Sequence, residues 1–111
     1  MEISIDTSGP YGVVHLKGSL GPEDEQQFAE ELYPLVADPQ AKLAVVLTDV
    51  TFIGSSGLGG LISLVTRARL REGRVILVGP TRFVRGVMEV TQLDTWFEVC
   101  DDLEEAAHRL A

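Results

Sequence analysis

The pattern of apolar and polar residues predicts a hairpin in the first part of the chain. Apolar and polar side chains alternate over residues 2–6, which predicts a short strand with one buried face. A turn containing glycine and proline follows at residues 9–12, and a second strand is predicted over residues 13–18. Because the connection between the two strands is so short, we expect them to pair with each other.

A helix is predicted next, beginning at Pro22. Proline is favoured at the first helical position, and acidic residues follow it in the first turn. Phe28 and Leu32 share one face at helical spacing. Pro34 lies inside this pattern, where it removes a backbone hydrogen bond, so we expect a kink or a restart there. Residues 38–39, Asp-Pro, end the helical pattern.

The rest of the chain repeats a strand followed by a helix. Three apolar runs predict strands, at residues 42–47, 74–79 and 96–100. A helical pattern follows each run. The first of these helices ends at Gly73, Thr81 can cap the second, and Asp101 or Asp102 can cap the third. Strands that alternate with helices after an opening hairpin predict an α/β chain with a mostly parallel sheet.

The stretch of residues 49–60 joins the central strand to the central helix. It holds two adjacent serines, Ser55 and Ser56, and three glycines, Gly57, Gly59 and Gly60. The first N–H groups of a helix have no intrahelical acceptor, so either serine can cap the helix and an anion can bind there. Each glycine lowers helix propensity by about 1 kcal/mol relative to alanine. The three glycines therefore indicate either tight packing against the sheet or close approach of another molecule.

Composition limits the class of protein. A chain of 111 residues with 45% hydrophobic residues is typical of one globular domain, here residues 1–111. No apolar stretch is long enough to span a membrane and no signal peptide is visible, so we expect a cytoplasmic protein without membrane insertion. The net charge of −8 argues against a nucleic-acid partner. Cys100 is the single cysteine, so we expect a fold without an internal disulfide or a metal cluster.

Positive charge is concentrated in one segment. Six of the nine basic residues lie there, namely Arg67, Arg69, Arg71, Arg74, Arg82 and Arg85. Cations near the end of a helix complement its dipole, so a solvated helix end explains many of them. A basic face that binds an acidic partner is the alternative, and the sequence leaves both open.

No catalytic arrangement is visible in the sequence. His15 and His108 are far apart, and neither is paired with a candidate nucleophile. The segment 54–57 lacks the spacing of the nucleophile elbow, and no P-loop or dinucleotide fingerprint is present. A small hydrolase is therefore the weakest interpretation. We expect no enzyme activity and no cofactor, and the serines are better explained as a site of modification.

The same central stretch resembles the STAS domain of bacterial anti-sigma factor antagonists. That motif is a strand ending in Asp-Val or Asp-Leu, a short turn, and Asp-Ser-Ser/Thr-Gly-Leu-Gly at the start of a helix, which here is residues 49–59. Residues 16–20 resemble the family's Gly-x-Leu/Ile-Asp segment, and the later elements follow the family order. The resemblance implies the STAS fold over residues 1–111, with a mixed, mostly parallel sheet of four or five strands. About four helices would pack mainly on one face.

The resemblance also implies a function. The unphosphorylated protein would bind an anti-sigma factor that is also a serine kinase, and so release a sigma factor. The kinase would use ATP to phosphorylate Ser55, whose neighbour is Ser56, and a PP2C-type phosphatase would reverse the modification. We expect a monomer when the protein is alone. The implied partner-binding residues are Gly54, Ser55, Ser56, Gly57, Leu58 and Gly59.

Two positions depart from the family pattern. Gly54 stands where the motif has aspartate, so one negative charge beside the acceptor serine is missing, and Gly21 replaces the aspartate of the earlier segment. A constitutive STAS interaction subunit, such as the accessory subunit of a lipid-trafficking ABC transporter, is the alternative function. That subunit type more often carries Thr-Ala or Thr-Gly at this place, so Ser55 followed by Ser56-Gly57 favours the phosphorylation switch.

Overall fold

The computed structural model describes all 111 residues, and its strands form one five-stranded sheet. The strands are β1 (Glu2–Asp6), β2 (Gly12–Leu20), β3 (Lys42–Ile53), β4 (Arg74–Val78) and β5 (Glu98–Cys100). Their order across the sheet is the order along the chain. β1 pairs antiparallel with β2, and all other pairs are parallel. The predicted hairpin and the mostly parallel sheet are confirmed.

Four α-helices connect or follow the strands. They are α1 (Glu25–Leu32), α2 (Ser55–Leu70), α3 (Arg82–Val90) and α4 (Leu103–Leu110). Short 3-10 turns precede and follow α1, over Pro22–Asp24 and Tyr33–Val36. The second turn contains Pro34, so the predicted restart of the helix is confirmed. None of these helices has both the length and the apolar character needed to cross a bilayer.

The helices cover the two faces of the sheet unequally. Side chains of a strand alternate between faces, so β3 contributes to both. Leu43, Val45 and Leu47 lie in the larger core with α1, α2 and α3. Ala44 and Val46 lie in the smaller core, which α4 covers. Three helices on one face and one on the other agree with the predicted arrangement.

Strand β3 is longer than predicted, because it continues past Leu47 to Ile53. β4 pairs with it only as far as Val46. Beyond that point β3 pairs with β2 alone, where Lys17 lies beside Asp49 and Leu20 beside Ile53. This half of the strand is flanked on one side only and exposes polar residues, which hid it in the sequence. The extension carries the chain past the end of β4 before α2 begins.

Strand β5 is shorter than predicted. Trp96 and Phe97 were included in the strand, but their N–H groups donate to the carbonyl of Leu93, at 3.1 and 2.9 Å. A turn therefore replaces the first part of the predicted strand, and β5 begins at Glu98.

Two predicted caps are present. The Thr81 hydroxyl accepts from the Val84 N–H at 3.3 Å, and it also donates to the Val50 carbonyl at 3.1 Å. Asp102, rather than Asp101, caps α4. Thr81 therefore ties the start of α3 to the extended half of β3.

The C-terminal end of α2 differs in detail from the prediction. Gly73 was expected to stop the helix, but the residue in the left-handed region is Glu72, with φ of 60°. Gly73 donates its N–H to the Ala68 carbonyl at 2.7 Å. A Cβ at Gly73 would lie 2.8 Å from the carbonyl oxygen of Ala41, so glycine is needed here for close approach of the backbone.

Candidate functional site

Gly54 is the N-cap of α2, so neither of the two candidate serines caps this helix. Its backbone is extended, with φ of −92° and ψ of −177°, and no side chain caps the helix. The Gly54 N–H donates to the Leu20 carbonyl at 3.0 Å, which fixes the turn to the end of β2. The first N–H groups of α2, from Ser55 to Gly57, therefore have no side-chain acceptor.

The two serines of the motif have different environments. Ser55 is the first residue of α2 and is exposed. The Oγ of Ser56 is buried and has no hydrogen-bond partner. The Ser55 side chain is therefore open to solvent, whereas the Ser56 hydroxyl is not.

The three glycines of the motif differ in how much space a side chain would have at each position. A Cβ at Gly57 would lie 2.7 Å from both the Cβ and the carbonyl oxygen of Leu20, so this glycine is required by packing. A Cβ at Gly60 would lie 3.2 Å from the Phe28 ring. A Cβ at Gly59 would meet nothing within 4 Å, and Gly59 is exposed. Packing therefore explains Gly57 and part of Gly60, while nothing inside the protein requires Gly59.

A groove lies between the first two turns of α2 and the segment that contains α1. Its volume is about 330 Å³, and Asp24, Glu25, Ser56 and Gly59 are among the residues that line it. Asp24 is buried, with an exposed fraction of 8%. No basic side chain lines the groove, so its rim is acidic.

The Asp24 carboxylate is held in place by two contacts. One oxygen accepts from the Gly21 N–H at 2.9 Å, and the other lies 3.2 Å from the Met1 amino group. The hydrogen bond from Gly21 holds the pKa of Asp24 below its ordinary value, although partial burial acts in the opposite direction. Asp24 is therefore charged at neutral pH. Asp24 lies three residues after Gly21, which stands where the STAS motif has an aspartate.

An exposed aromatic pair adjoins the turn. The rings of Phe52 and Phe83 are 5.4 Å apart between centroids, and their side chains remain 49% and 47% exposed. A Cβ at Gly54 would lie 3.6 Å from the Phe52 ring. Aromatic side chains that remain half exposed beside a candidate binding residue form the kind of apolar surface that partner proteins cover.

The remaining candidate residues lie elsewhere and are not brought together. His15 is exposed on β2, and His108 is exposed on α4. Cys100 is buried in β5, where burial raises the pKa of its thiol. No three side chains of the histidine, cysteine, aspartate or glutamate type are placed to hold a metal ion.

Part of the basic segment serves the structure. Arg74 donates two hydrogen bonds to the Glu98 carboxylate, at 2.7 and 2.5 Å, and these bonds hold the pKa of Glu98 below its ordinary value. Arg109 joins the same carboxylate at 3.4 Å. Arg85 forms an ion pair with Asp101 at 2.8 Å. These arginines tie β4, β5, α3 and α4 together.

Two features of this region were missed by sequence reasoning. The acids at 24 and 25 were assigned only to the start of a helix, and Phe83 only to a helix face. Their placement depends on how α1 and α3 pack against the sheet, which no local pattern specifies. The unexplained Gly59 was the available signal for the groove, because a glycine inside a helix lowers its stability.

Comparisons with known proteins agree with this architecture. The family model of the STAS domain matches residues 2–106. The solved structure of an anti-sigma factor antagonist STAS domain protein from Planctomyces limnophilus has a TM-score of 0.84 at 19% identity, with 97% of each chain covered. An anti-sigma factor antagonist from Mycobacterium paratuberculosis has a TM-score of 0.78 at 22% identity, with 98% of this chain and 92% of that chain covered.

A third likeness is to a structure in a modified state. The Bacillus cell fate determinant SpoIIAA in its phosphorylated form has a TM-score of 0.74 at 20% identity, with 99% of this chain and 100% of that chain covered. Likenesses at these identities establish the fold alone. Together with the family match over most of the chain, they lead to one conclusion: the protein belongs to the STAS domain family.

Proposed function

We propose that the protein is an anti-sigma factor antagonist controlled by phosphorylation of Ser55. In this proposal the unphosphorylated form binds an anti-sigma factor that is also a serine kinase, and a sigma factor is released. Phosphorylation of Ser55 ends the binding, and a PP2C-type phosphatase restores it. The protein then acts as a binding partner rather than as an enzyme, in the cytoplasm, where the kinase has ATP.

The observation that carries the proposal is the contrast between the two serines. Ser55 presents its hydroxyl to solvent at the first position of α2, while the Oγ of Ser56 is buried. Membership of the STAS family and the likeness to a phosphorylated SpoIIAA add support. The residues proposed to bind the partner are Gly54, Ser55, Ser56, Gly57, Leu58 and Gly59.

The local structure suits a phosphate at this place. A phosphate adds about −1.5 to −2 charges near pH 7. At the N-terminus of a helix, negative charge is stabilised by about 0.3–1 kcal/mol when exposed. Because Gly54 provides no capping side chain, the N–H groups of the first turn remain available to phosphate oxygens. We therefore expect the fold to tolerate the modification.

The neighbouring surface explains how a phosphate can prevent binding. The Phe52–Phe83 pair offers an apolar contact beside Ser55, and the open backbone at Gly59 allows close approach. A partner that covers this surface would exclude water from Ser55. Burial of an uncompensated charge costs several kcal/mol, and about 1.4 kcal/mol corresponds to a tenfold change in affinity. The expected loss of affinity is on the order of 100-fold or more.

The decisive experiment uses a kinase-type anti-sigma factor from the same organism. The wild-type protein and the variants Ser55→Ala and Ser56→Ala are incubated with this kinase and ATP, and their intact masses are measured. We expect one phosphate on the wild-type protein and on Ser56→Ala, and none on Ser55→Ala. Phosphate retained by Ser55→Ala would refute the assignment of Ser55.

Binding of both forms is then measured by titration calorimetry. Ser55→Ala should bind as tightly as the unphosphorylated protein, and Ser55→Asp should bind more weakly. Equal affinity of the phosphorylated and unphosphorylated proteins would refute the switch, and would favour the constitutive STAS subunit instead.

A further inference from the structure

The last turns of α2 carry a second exposed surface, at the opposite end of the helix from Ser55. Arg67 and Leu70 lie three residues apart at the end of α2, Arg71 is its C-cap, and all three line one groove. All three are exposed, and Leu70 reaches an exposed fraction of 80%. The ring of Tyr33 lies beside them, with the Arg67 guanidinium 4.1 Å from its centroid. We call these four residues the basic surface.

The arginines of the basic surface have no acidic partner in the protein. Arg74, Arg85 and Arg109 all form ion pairs, whereas Arg67 and Arg71 form none. The Nε of Arg67 donates only to the Ser63 hydroxyl, at 3.2 Å. The guanidinium groups of Arg67 and Arg71 can therefore form ion pairs with the carboxylates of another molecule.

Two grooves meet at Leu70 and Arg71. One has a volume of about 320 Å³ and extends over Tyr33, Val36 and Ala37. The other has a volume of about 500 Å³ and extends over Pro39, Gln40 and Glu72. Glu72 is the one acidic residue that lines either groove. An extended or helical segment can therefore follow the surface and cover Leu70 on two sides.

The helix dipole explains only part of this arrangement. Cations in the last turn of a helix are favourable, so one arginine needs no other reason. Two like charges at i and i+4 are unfavourable, however, and the dipole gives no reason for an exposed leucine between them. The stacking of Arg67 on Tyr33 reduces its freedom before any partner arrives, which favours binding.

We propose that the basic surface binds an acidic amphipathic segment of a partner protein. Carboxylates of the segment pair with Arg67 and Arg71, and an apolar side chain of the segment covers Leu70. α2 has 16 residues, so its two ends are about 22 Å apart. The proposal adds a second site to the one around Ser55 and does not depend on phosphorylation.

A polyanion is a poorer match for the basic surface. Nucleic acids and anionic membranes are bound through many positive charges, and binding is strong only when several phosphates are neutralised. The basic surface offers two free guanidinium groups on a protein with a net charge of −8. The apolar side chain between them matches a peptide better than a phosphate backbone.

The test uses the full chain and a short synthetic peptide with leucine and glutamate at helical spacing. Binding is followed by amide NMR at low salt, and a peptide with lysine in place of glutamate is the matched probe. We expect the acidic peptide to shift the signals of residues 33–37 and 67–71, and the lysine peptide to shift none. Leu70→Ser should weaken binding about tenfold, and Arg71→Gln about two- to fivefold.

Two variants serve as controls. Val90 is 85% exposed on α3, and Arg82 is exposed without an ion pair, so Val90→Ser and Arg82→Gln change similar residues elsewhere. Both should bind the acidic peptide as the wild-type protein does. Equal binding by Leu70→Ser, or shifts centred on Ser55, would overturn the proposal. So would tighter binding of anionic lipid vesicles or single-stranded RNA to the same residues.

Discussion

Gly57 and Leu20 bring the first turn of α2 directly against the end of β2. A Cβ at Gly57 would lie 2.7 Å from both the Cβ and the carbonyl oxygen of Leu20, and those atoms cannot move without shifting the strand. Gly59, two residues later, has no neighbour within 4 Å of the same position. The two glycines therefore predict opposite effects of one substitution.

We expect Gly57→Ala to destabilise the fold and Gly59→Ala to stabilise it. Overpacking costs about 1–3 kcal/mol, which outweighs a gain in helix propensity of about 1 kcal/mol. At Gly59 only the gain applies. Thermal and urea unfolding of both variants measures the difference. If Gly59→Ala proved as destabilising as Gly57→Ala, a side chain at position 59 would not have the open space that the structure shows.

Gly54→Asp should stabilise the helix. The backbone of Gly54 is already extended, as an N-cap requires, and its Cβ would have ordinary contacts of 3.6 Å with Phe52 and 3.8 Å with the Leu20 carbonyl oxygen. Aspartate in place of a glycine N-cap contributes on the order of a few tenths of a kcal/mol, because glycine is itself a tolerated N-cap residue. Urea unfolding at neutral pH gives the value, and Gly54→Ala, which fits without a cap, is the control. A loss of stability in Gly54→Asp would contradict the proposed geometry.

Phe83→Ser should separate binding from folding. About half of this side chain is exposed, so its removal affects stability little, but it lies in the surface proposed to contact the anti-sigma factor. Loss of an aromatic anchor at an interface costs about 2 kcal/mol or more. Calorimetry with the anti-sigma factor should show this loss, while the acidic peptide binds unchanged. Leu70→Ser should show the reverse pattern, and parallel losses in both assays would mean that the two surfaces are not independent.

Asp24 should contribute to stability in a way that depends on pH. Its pKa in the folded protein lies below the ordinary value of 3.8, so the folded state binds protons less readily than the unfolded state. The stabilisation is fully present above the ordinary pKa and is lost as the pH falls through the lower pKa of the folded protein. Asp24→Asn should therefore lower stability at neutral pH and flatten its decline below about pH 4.

Urea unfolding at a series of pH values measures this effect. Asp38→Asn is the matched control, because Asp38 is exposed and its carboxylate forms no hydrogen bond or ion pair. In this control, the free energy of unfolding should fall at low pH as steeply as in the wild-type protein. If the free energy of unfolding of Asp24→Asn fell as steeply below about pH 4 as that of the wild-type protein, Asp24 would not be the cause of the decline.

The elements of the fold were largely visible in the sequence, because β4 and the first half of β3 are buried on both faces and read as apolar runs, while the opening hairpin shows alternation around a short turn. The errors have physical causes. The second half of β3 pairs on one side only, so Asp49 and Thr51 are polar and exposed there. Trp96 and Phe97 are apolar because they pack against α2 and the core rather than because they form a strand. A run of apolar residues indicates that the segment is buried, but a buried segment can be either a strand or a packed turn.

The candidate site was predicted at the level of its turn but not of its surroundings. Adjacent serines and glycines located the start of α2, while the identity of its cap depended on which residue had an extended backbone. The Ser56 hydroxyl is buried, and Ser56 lines a groove together with Leu20 of β2 and Phe28 of α1, which are distant in sequence. The basic surface could be anticipated only as a cluster of arginines. The structure shows that Arg74 and Arg85 form ion pairs and that Arg67 and Arg71 do not, and the sequence does not reveal this difference.

The order of the strands has a consequence for how the protein folds. Each strand pairs with the strand that precedes it in the chain, so no pair has to wait for a segment from the far end of the sequence. Closing a loop twice as long costs only about 0.6 kcal/mol more, but contacts between distant segments slow folding much more strongly. This sheet can therefore assemble by successive addition while the chain is being synthesised. β5, with three residues, is the last strand in the chain, and it pairs with β4, whose Arg74 also forms an ion pair with Glu98.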